Sequence, residues 1–251
     1  MKSQIQCGHH RYWNIFMTEH FPSKIGLSQQ FDCSYLPDRQ EQLLVILDSQ
    51  CYTPKRFEDL LELGFRRSGD QIYRPHCPSC NACESMRIPV AQFQQTKSQK
   101  RKFKLAKTKF KLRVSNKEQV EYYELYEKYI NQKHSDGTMF PPNRLQYESF
   151  LFCNWLPVTF LELWDADELI AVAVTDTMPN SLSAIYTFYH PDYDKYSLGN
   201  VMILLQIEYA LESGSEYLYL GYQIDECRKM SYKSQFKPAE RFISDVWQLK
   251  L

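Results

Sequence analysis

The feature that most constrains the fold is the order of elements in the second half of the chain. Three strand-like stretches, at residues 158–164, 169–175 and 182–189, precede one helix and a returning strand at 217–222. Short runs rich in branched and aromatic residues, bounded by turn residues, read as strands. The helix carries apolar positions at Val201, Leu204, Leu205, Ile207 and Leu211, with Ser197 placed to cap it and Gly214 to stop it. Three strands, a helix and another strand predict an α+β fold with a mixed sheet, an order that also admits other mixed-sheet folds.

The first half reads as a smaller lobe. Residues 43–47 are a short apolar run, predicted to be a buried strand. A helix follows, with Thr53 as cap, Pro54 at its first position, Leu60, Leu61 and Leu63 inside, and Gly64 as stop. Residues 65–67 and 71–74 flank Ser-Gly-Asp and predict a hairpin that delivers the chain to His76 and a cysteine cluster. Beyond it, residues 88–93 predict a strand, Ser98 a cap for a basic helix to about Phe110, and Ser115-x-x-Glu118 a capping box opening an aromatic-rich helix through Ile130. The expected division is a Cys-containing N-terminal lobe, 1–84, and a larger domain, 85–251.

With 251 residues, 43% of them apolar, the chain can bury a substantial core. Neither end of the sequence shows a charged-then-apolar leader, and the apolar runs fall far short of the roughly 20 residues a bilayer span needs. A soluble, cytoplasmic protein without a membrane partner is expected. Cys7, Cys33, Cys51, Cys77, Cys80, Cys83, Cys153 and Cys227 are then expected as reduced thiols.

Three motifs suggest chemistry. Cys77-x-x-Cys80-x-x-Cys83 sets three thiols at spacings that let them converge on one soft metal, with Cys33 the natural fourth ligand and His76 a weaker one. Zinc and an iron–sulfur cluster share this chemistry, and buried cysteines beside a turn give the same pattern. Residues 97–113 hold nine Lys or Arg and no acid, which leaves a net −9 for the rest of a chain whose total charge is zero. With Phe103, Leu105 and Phe110 as anchors, Lys97, Lys100, Arg101, Lys102 and Lys104 form a candidate nucleic-acid face; a solvated helix surface is the simpler alternative. The third motif is the turn after the last predicted strand, dense in Arg228, Lys229, Tyr232 and Lys233, which suits a carboxylate, a phosphate or a developing oxyanion. Tyr193, Ser197 and Gly199 at the predicted helix start form a weaker anion candidate.

These segments together resemble the bacterial aspartate/glutamate leucyltransferases, relatives of the arginyl-tRNA–protein transferases. The similarity runs through Cys33-Ser-Tyr-Leu-Pro, Tyr73-Arg-Pro-His-Cys77, Arg87-Ile-Pro-Val90, Ser98-Gln-Lys-Arg101, Pro191-Asp-Tyr, Ser197-Leu-Gly199 and the stretch from Gly221-Tyr to Lys229-Met-Ser-Tyr-Lys-Ser-Gln235. The resemblance implies a GNAT-like acyltransferase sheet and the transfer of leucine from leucyl-tRNA to acceptor proteins with N-terminal Asp or Glu, creating a degradation signal. It implies no DNA partner, no cofactor for the chemistry itself, and zinc or an iron–sulfur cluster on Cys33, Cys77, Cys80 and Cys83. Tyr186, Arg228, Lys229, Tyr232 and Lys233 are the candidate catalytic set. Arg74, Arg87, Tyr193, Ser197, Gly199, Tyr222 and Gln223 are candidate substrate contacts, with Arg74, Arg87 or Arg228 to pair the acceptor's acidic side chain. An arginyl-tRNA donor and a non-catalytic, metal-stapled RNA- or N-terminus-binding module are the alternatives.

Overall fold

The computed structural model describes residues 24–251; the His-rich opening segment and Cys7 lie outside the described residues. A small antiparallel sheet is built from β1 (Ile25–Leu27), β4 (Leu43–Ile46), β6 (Gln71–Pro75) and β5 (Arg66–Ser68), in that spatial order, beside a ribbon of β2 (Phe31–Asp32) and β3 (Gln40–Glu41). The large sheet has eight strands. From one edge they are β14 (Val246–Lys250), β13 (Ala239–Ile243), β7 (Glu84–Pro89), β12 (Tyr217–Gln223), β11 (Ser181–Tyr189), β10 (Glu168–Thr177), β9 (Val158–Asp165) and β8 (Lys111–Ser115). Among the described strands only β11 and β12 run parallel, joined through helix α5 (Leu198–Glu212), as a parallel pair requires a crossover. The predicted α+β class with a mixed sheet is borne out.

The predicted strands at 158–164, 169–175, 182–189 and 217–222 fall within β9, β10, β11 and β12. Successive residues of β10 point to opposite faces, as strand geometry dictates. Ala173 packs with α5 and α2 (Lys97–Lys109), whereas Val172 and Val174 pack under α3 (Val120–Lys133) and α4 (Arg144–Leu151). A third cluster joins α1 (Pro54–Glu62) and the small sheet to Tyr219 of β12, on the face opposite α5. In α1, Thr53 accepts from Arg56 N, Pro54 opens the helix and Gly64 exits at φ +80°, as predicted.

Four local expectations are corrected. Residues 43–47 are mostly half-buried and Leu47 is 61% exposed, because the small sheet is covered on one side. The strand expected at 88–93 is Glu84–Pro89: Pro89 has no N–H to give the ladder, and the chain coils into the 3-10 turn Val90–Gln92 straight after it. The basic helix is capped by Thr96, in a capping box with Gln99, rather than by Ser98. The helix itself runs Lys97–Lys109 and stops at Phe110 as expected, and the rest of the basic run forms edge strand β8. Ser115 ends that strand and accepts from Lys117 N, so it caps no helix; α3 begins at Val120 after Gln119, which makes no capping bond.

Candidate active site

β11 and β12 pair only where Ser181, Leu182 and Ser183 face Tyr217, Leu218 and Tyr219. Beyond that point β11 continues to Tyr189 and β12 to Gln223 without meeting. Two bulges accompany the parting: Ile185 is extra in β11 against β10, and Leu220 is extra in β12 against β7, with Gly221 at φ +79°. Bulges bend strands and re-aim side chains, and here they open a wedge in the middle of the sheet.

Backbone groups past the last shared pair need new partners. Arg66, from β5, donates through Nη2 to Ala184 O at 2.8 Å and through Nη1 to Ser183 Oγ at 2.9 Å. Lys233 Nζ donates to Tyr222 O at 2.5 Å. Both side chains are buried, at 6% and 7% exposure. A Cβ on Gly221 would stand 3.4 Å from the Arg66 guanidinium, so glycine lets that cation lie close against β12. Burial and the charge of Arg66 push the Lys233 ammonium down to about 7, with Cys227 acting weakly the other way.

Lys233 belongs to the 3-10 segment Arg228–Gln235. That segment starts beside the cysteines, where Cys227 packs with Leu36 and Ile224, and ends on the opposite face, where Phe236 joins the α5 cluster. It therefore crosses the mouth of the wedge. Gln99 Nε2 of α2 donates to Gln235 O at 3.2 Å, and Gln235 Nε2 donates to Asn200 Oδ1 of α5 at 3.2 Å, which ties the crossing to the basic helix. Lys97, Lys100, Arg101 and Lys104 are exposed and their side chains make no hydrogen bond or ion pair with the described residues; Lys102 instead donates to Ser197 Oγ at 3.0 Å.

The candidate catalytic set is partly gathered. Tyr186 packs against Tyr129 (6.4 Å between ring centroids) and Phe150 (5.5 Å), and Tyr232 lies close enough to raise the hydroxyl pKa values of both tyrosines further. Arg228 and Lys229 are exposed on the crossing segment, and Lys229 pairs with Asp136 at 2.8 Å. Among the described residues, the acids beside this wall, Asp136 and Asp194, are paired with Lys229 and Lys133.

Most of the candidate substrate contacts are engaged elsewhere. Arg87 is clamped by Glu62 and Glu240, both at 2.5 Å, and its guanidinium stacks on Tyr217 and Trp247, leaving no room for an acceptor carboxylate. Arg74 donates to Leu63 O at 2.9 Å and pairs with Asp245. The Tyr193 hydroxyl donates to Glu168 at 3.0 Å. Ser197 holds a left-handed conformation at φ +55° and makes no capping bond; Gly199 follows in the first turn of α5. Tyr222 sends its hydroxyl to Gly64 O, while Gln223 donates to Asp225 and keeps a buried Oε1 without a partner. Arg66 was missed by sequence reasoning: its neighbour Arg67 is equally basic, and only the tertiary fold separates the two.

Cys33, Cys77, Cys80 and Cys83 line one pocket with Tyr35, Tyr73 and Tyr222. Burial and the three neighbouring thiols push Cys83 up to about 12. The donor chemistry suits a soft metal, yet among the described residues no group of three or more Cys, His, Asp or Glu is placed to close on an ion. No helix among the described residues is long and apolar enough to cross a membrane.

Comparison with known proteins adds a second line of observation. Residues 31–101 match the family described as arginine-tRNA-protein transferase, N terminus, and residues 121–243 match its C terminus. An aspartate/glutamate leucyltransferase of Aeromonas hydrophila is 49% identical over 232 residues, covering 92% of this chain and 97% of that protein. One of Shewanella putrefaciens is 52% identical over 228 residues, covering 90% and 96%. Among solved structures, FemX aligns with a TM-score of 0.44 at 9% identity, over 69% of this chain and 61% of that one.

Proposed function

We propose, from the premise that this chain belongs to the arginine-tRNA-protein transferase family, that it carries leucine from leucyl-tRNA to the N-terminal Asp or Glu of acceptor proteins, in the cytoplasm. The observation that carries the reading is the wedge between β11 and β12. It has unpaired cations of α2 on one side and the buried Arg66–Lys233 pair on the other.

The chemistry asks little of the protein beyond placement. The leucyl ester is already activated, and an α-amine with a reference pKa of about 7.7–8.0 is partly neutral at cellular pH. Its nitrogen attacks the leucyl carbonyl carbon, the ester bond to the terminal ribose breaks, and the amine's proton leaves with the ribose hydroxyl. Holding amine and ester together is then the main source of acceleration. Lys97, Lys100, Arg101 and Lys104 suit the phosphates of the acceptor stem, and the segment Arg228–Gln235 brings that stem's end to the wedge. The aromatic wall of Tyr129, Phe150, Tyr186 and Tyr232 supports leucine over arginine, since among the described residues the acids beside it, Asp136 and Asp194, are already paired with Lys229 and Lys133.

The test presents labelled leucyl-tRNA and arginyl-tRNA separately to peptides beginning with Asp, Glu, Lys or Arg. Label from leucyl-tRNA is expected on the Asp and Glu peptides alone. Label from arginyl-tRNA, or none on any peptide, overturns the reading. A metal on Cys33, Cys77, Cys80 and Cys83 is a separate proposal; it would staple the N-terminal lobe, and no step of the transfer runs through it. Zinc or iron at a constant ratio to purified protein is expected, and active protein free of both contradicts it.

A further inference from the structure

Arg66 and Lys233 are two buried basic side chains, near enough for the charge of Arg66 to act on Lys233, and neither has a carboxylate within ion-pair distance among the described residues. Asp176, the buried acid of β10, is taken by Arg67 through both carboxylate oxygens. Glu58, the buried acid of α1, is spent on Asn180 N and Ser181 Oγ. Buried charge without a counter-ion is costly, and proteins retain it where a ligand supplies the missing charge. Carbonyls and a hydroxyl hold the two cations in position, Ala184 O and Ser183 Oγ for Arg66 and Tyr222 O for Lys233.

We infer that the Arg66–Lys233 pair is the selectivity device for the acceptor: it binds the side-chain carboxylate of the N-terminal Asp or Glu. This rests on the transferase reading above and deepens it. The sheet separates two approaches to the wedge. α2 and α5 cover one face, where unpaired surface cations suit polyphosphate; the small sheet that supplies Arg66 covers the other. A nucleic-acid backbone has its cations on the α2 face and does not need a buried pair. A single small carboxylate does, because a deep guanidinium and ammonium bind it with charge-assisted hydrogen bonds and reject its uncharged amide analogue. Of the three arginines first expected in this role, Arg74 and Arg87 already have acids of their own, and Arg228 is exposed on the crossing segment.

The test uses the full chain with leucyl-tRNA and two peptides that differ only in beginning with Asp or Asn. Arg66→Gln and Lys233→Gln each remove one charge while keeping an amide donor for the carbonyls; Arg66→Lys keeps the charge. The readout is the ratio of kcat/KM for the Asp and Asn peptides, with circular dichroism confirming that each variant is folded. The glutamine variants are expected to lower the ratio by on the order of a hundredfold, with the change in KM for the Asp peptide, and Arg66→Lys to restore much of it. An equal fall for both peptides, leaving the ratio as in the unmodified chain, overturns the inference and gives the pair to the oxyanion or the tRNA. Absence of leucine transfer by the unmodified chain is a different outcome: it removes the transferase reading, and the inference with it.

Discussion

Arg66 and Arg67 sit next to each other in β5 and point to opposite sides, so one meets Asp176 in a fully buried pair while the other reaches the wedge with no acid. Removing one partner of a buried pair strands the other's charge. Arg67→Met is therefore expected to cost about 3–5 kcal/mol in denaturant unfolding, and an unchanged midpoint would contradict a structural role. Lys233 gives a pH prediction. Its ammonium is pushed down to about 7 by burial and by Arg66, against a small opposing effect of Cys227, so it is charged below that pH and neutral above it. The acceptor amine runs the other way, becoming nucleophilic as pH rises toward about 8. kcat/KM for an Asp-starting peptide should therefore trace a bell whose alkaline limb begins near 7, and Lys233→Gln should lose that limb. A limb that persists in the variant assigns it to another group. Lys233 was legible in the sequence as part of a basic turn; its burial was not, because nothing local to 228–233 says that the turn folds under a splayed strand pair.

Among the elements, the helix α2 and the segment Arg228–Gln235 act together through Gln99 and Gln235. Replacing Lys97, Lys100, Arg101 and Lys104 with Gln should weaken tRNA binding most at low salt. It should also flatten the plot of log affinity against log salt by about 0.7–0.9 for each phosphate that the helix no longer neutralises. An unchanged slope would make α2 an ordinary solvated face. The elements most legible from sequence were those whose ends carry strong local chemistry or whose interiors are long apolar runs: α1 between Thr53 and Gly64, and the β9 to β12 series around α5. Those decided by tertiary context were not. Ser115 has the right residue type for a cap but lies in edge strand β8, held by pairing with β9, and Thr96 displaces Ser98 because its partner Gln99 is anchored to Gln235.

At the scale of the whole molecule, the proposed site lies at the one parallel strand pair among the described residues. A fully antiparallel sheet offers no seam at its centre, whereas the crossover through α5 sets β11 beside β12 and then lets them part. Binding at such a break in the strand pattern is a general property of mixed sheets. The residues at the wedge come from four separate segments, β5, β11, β12 and Arg228–Gln235, and their distance along the chain is why spacing alone could not assemble the site: Arg66 is 117 residues from Ser183. In the proposed reaction one leucyl group crosses this seam from a tRNA ester to a protein amine. The most direct measurement incubates the chain with leucyl-tRNA and an Asp-starting peptide and follows both by mass. The peptide should gain one leucyl group at its N-terminus for each tRNA discharged; tRNA discharged into free leucine with the peptide unchanged, or left charged, would contradict that transfer.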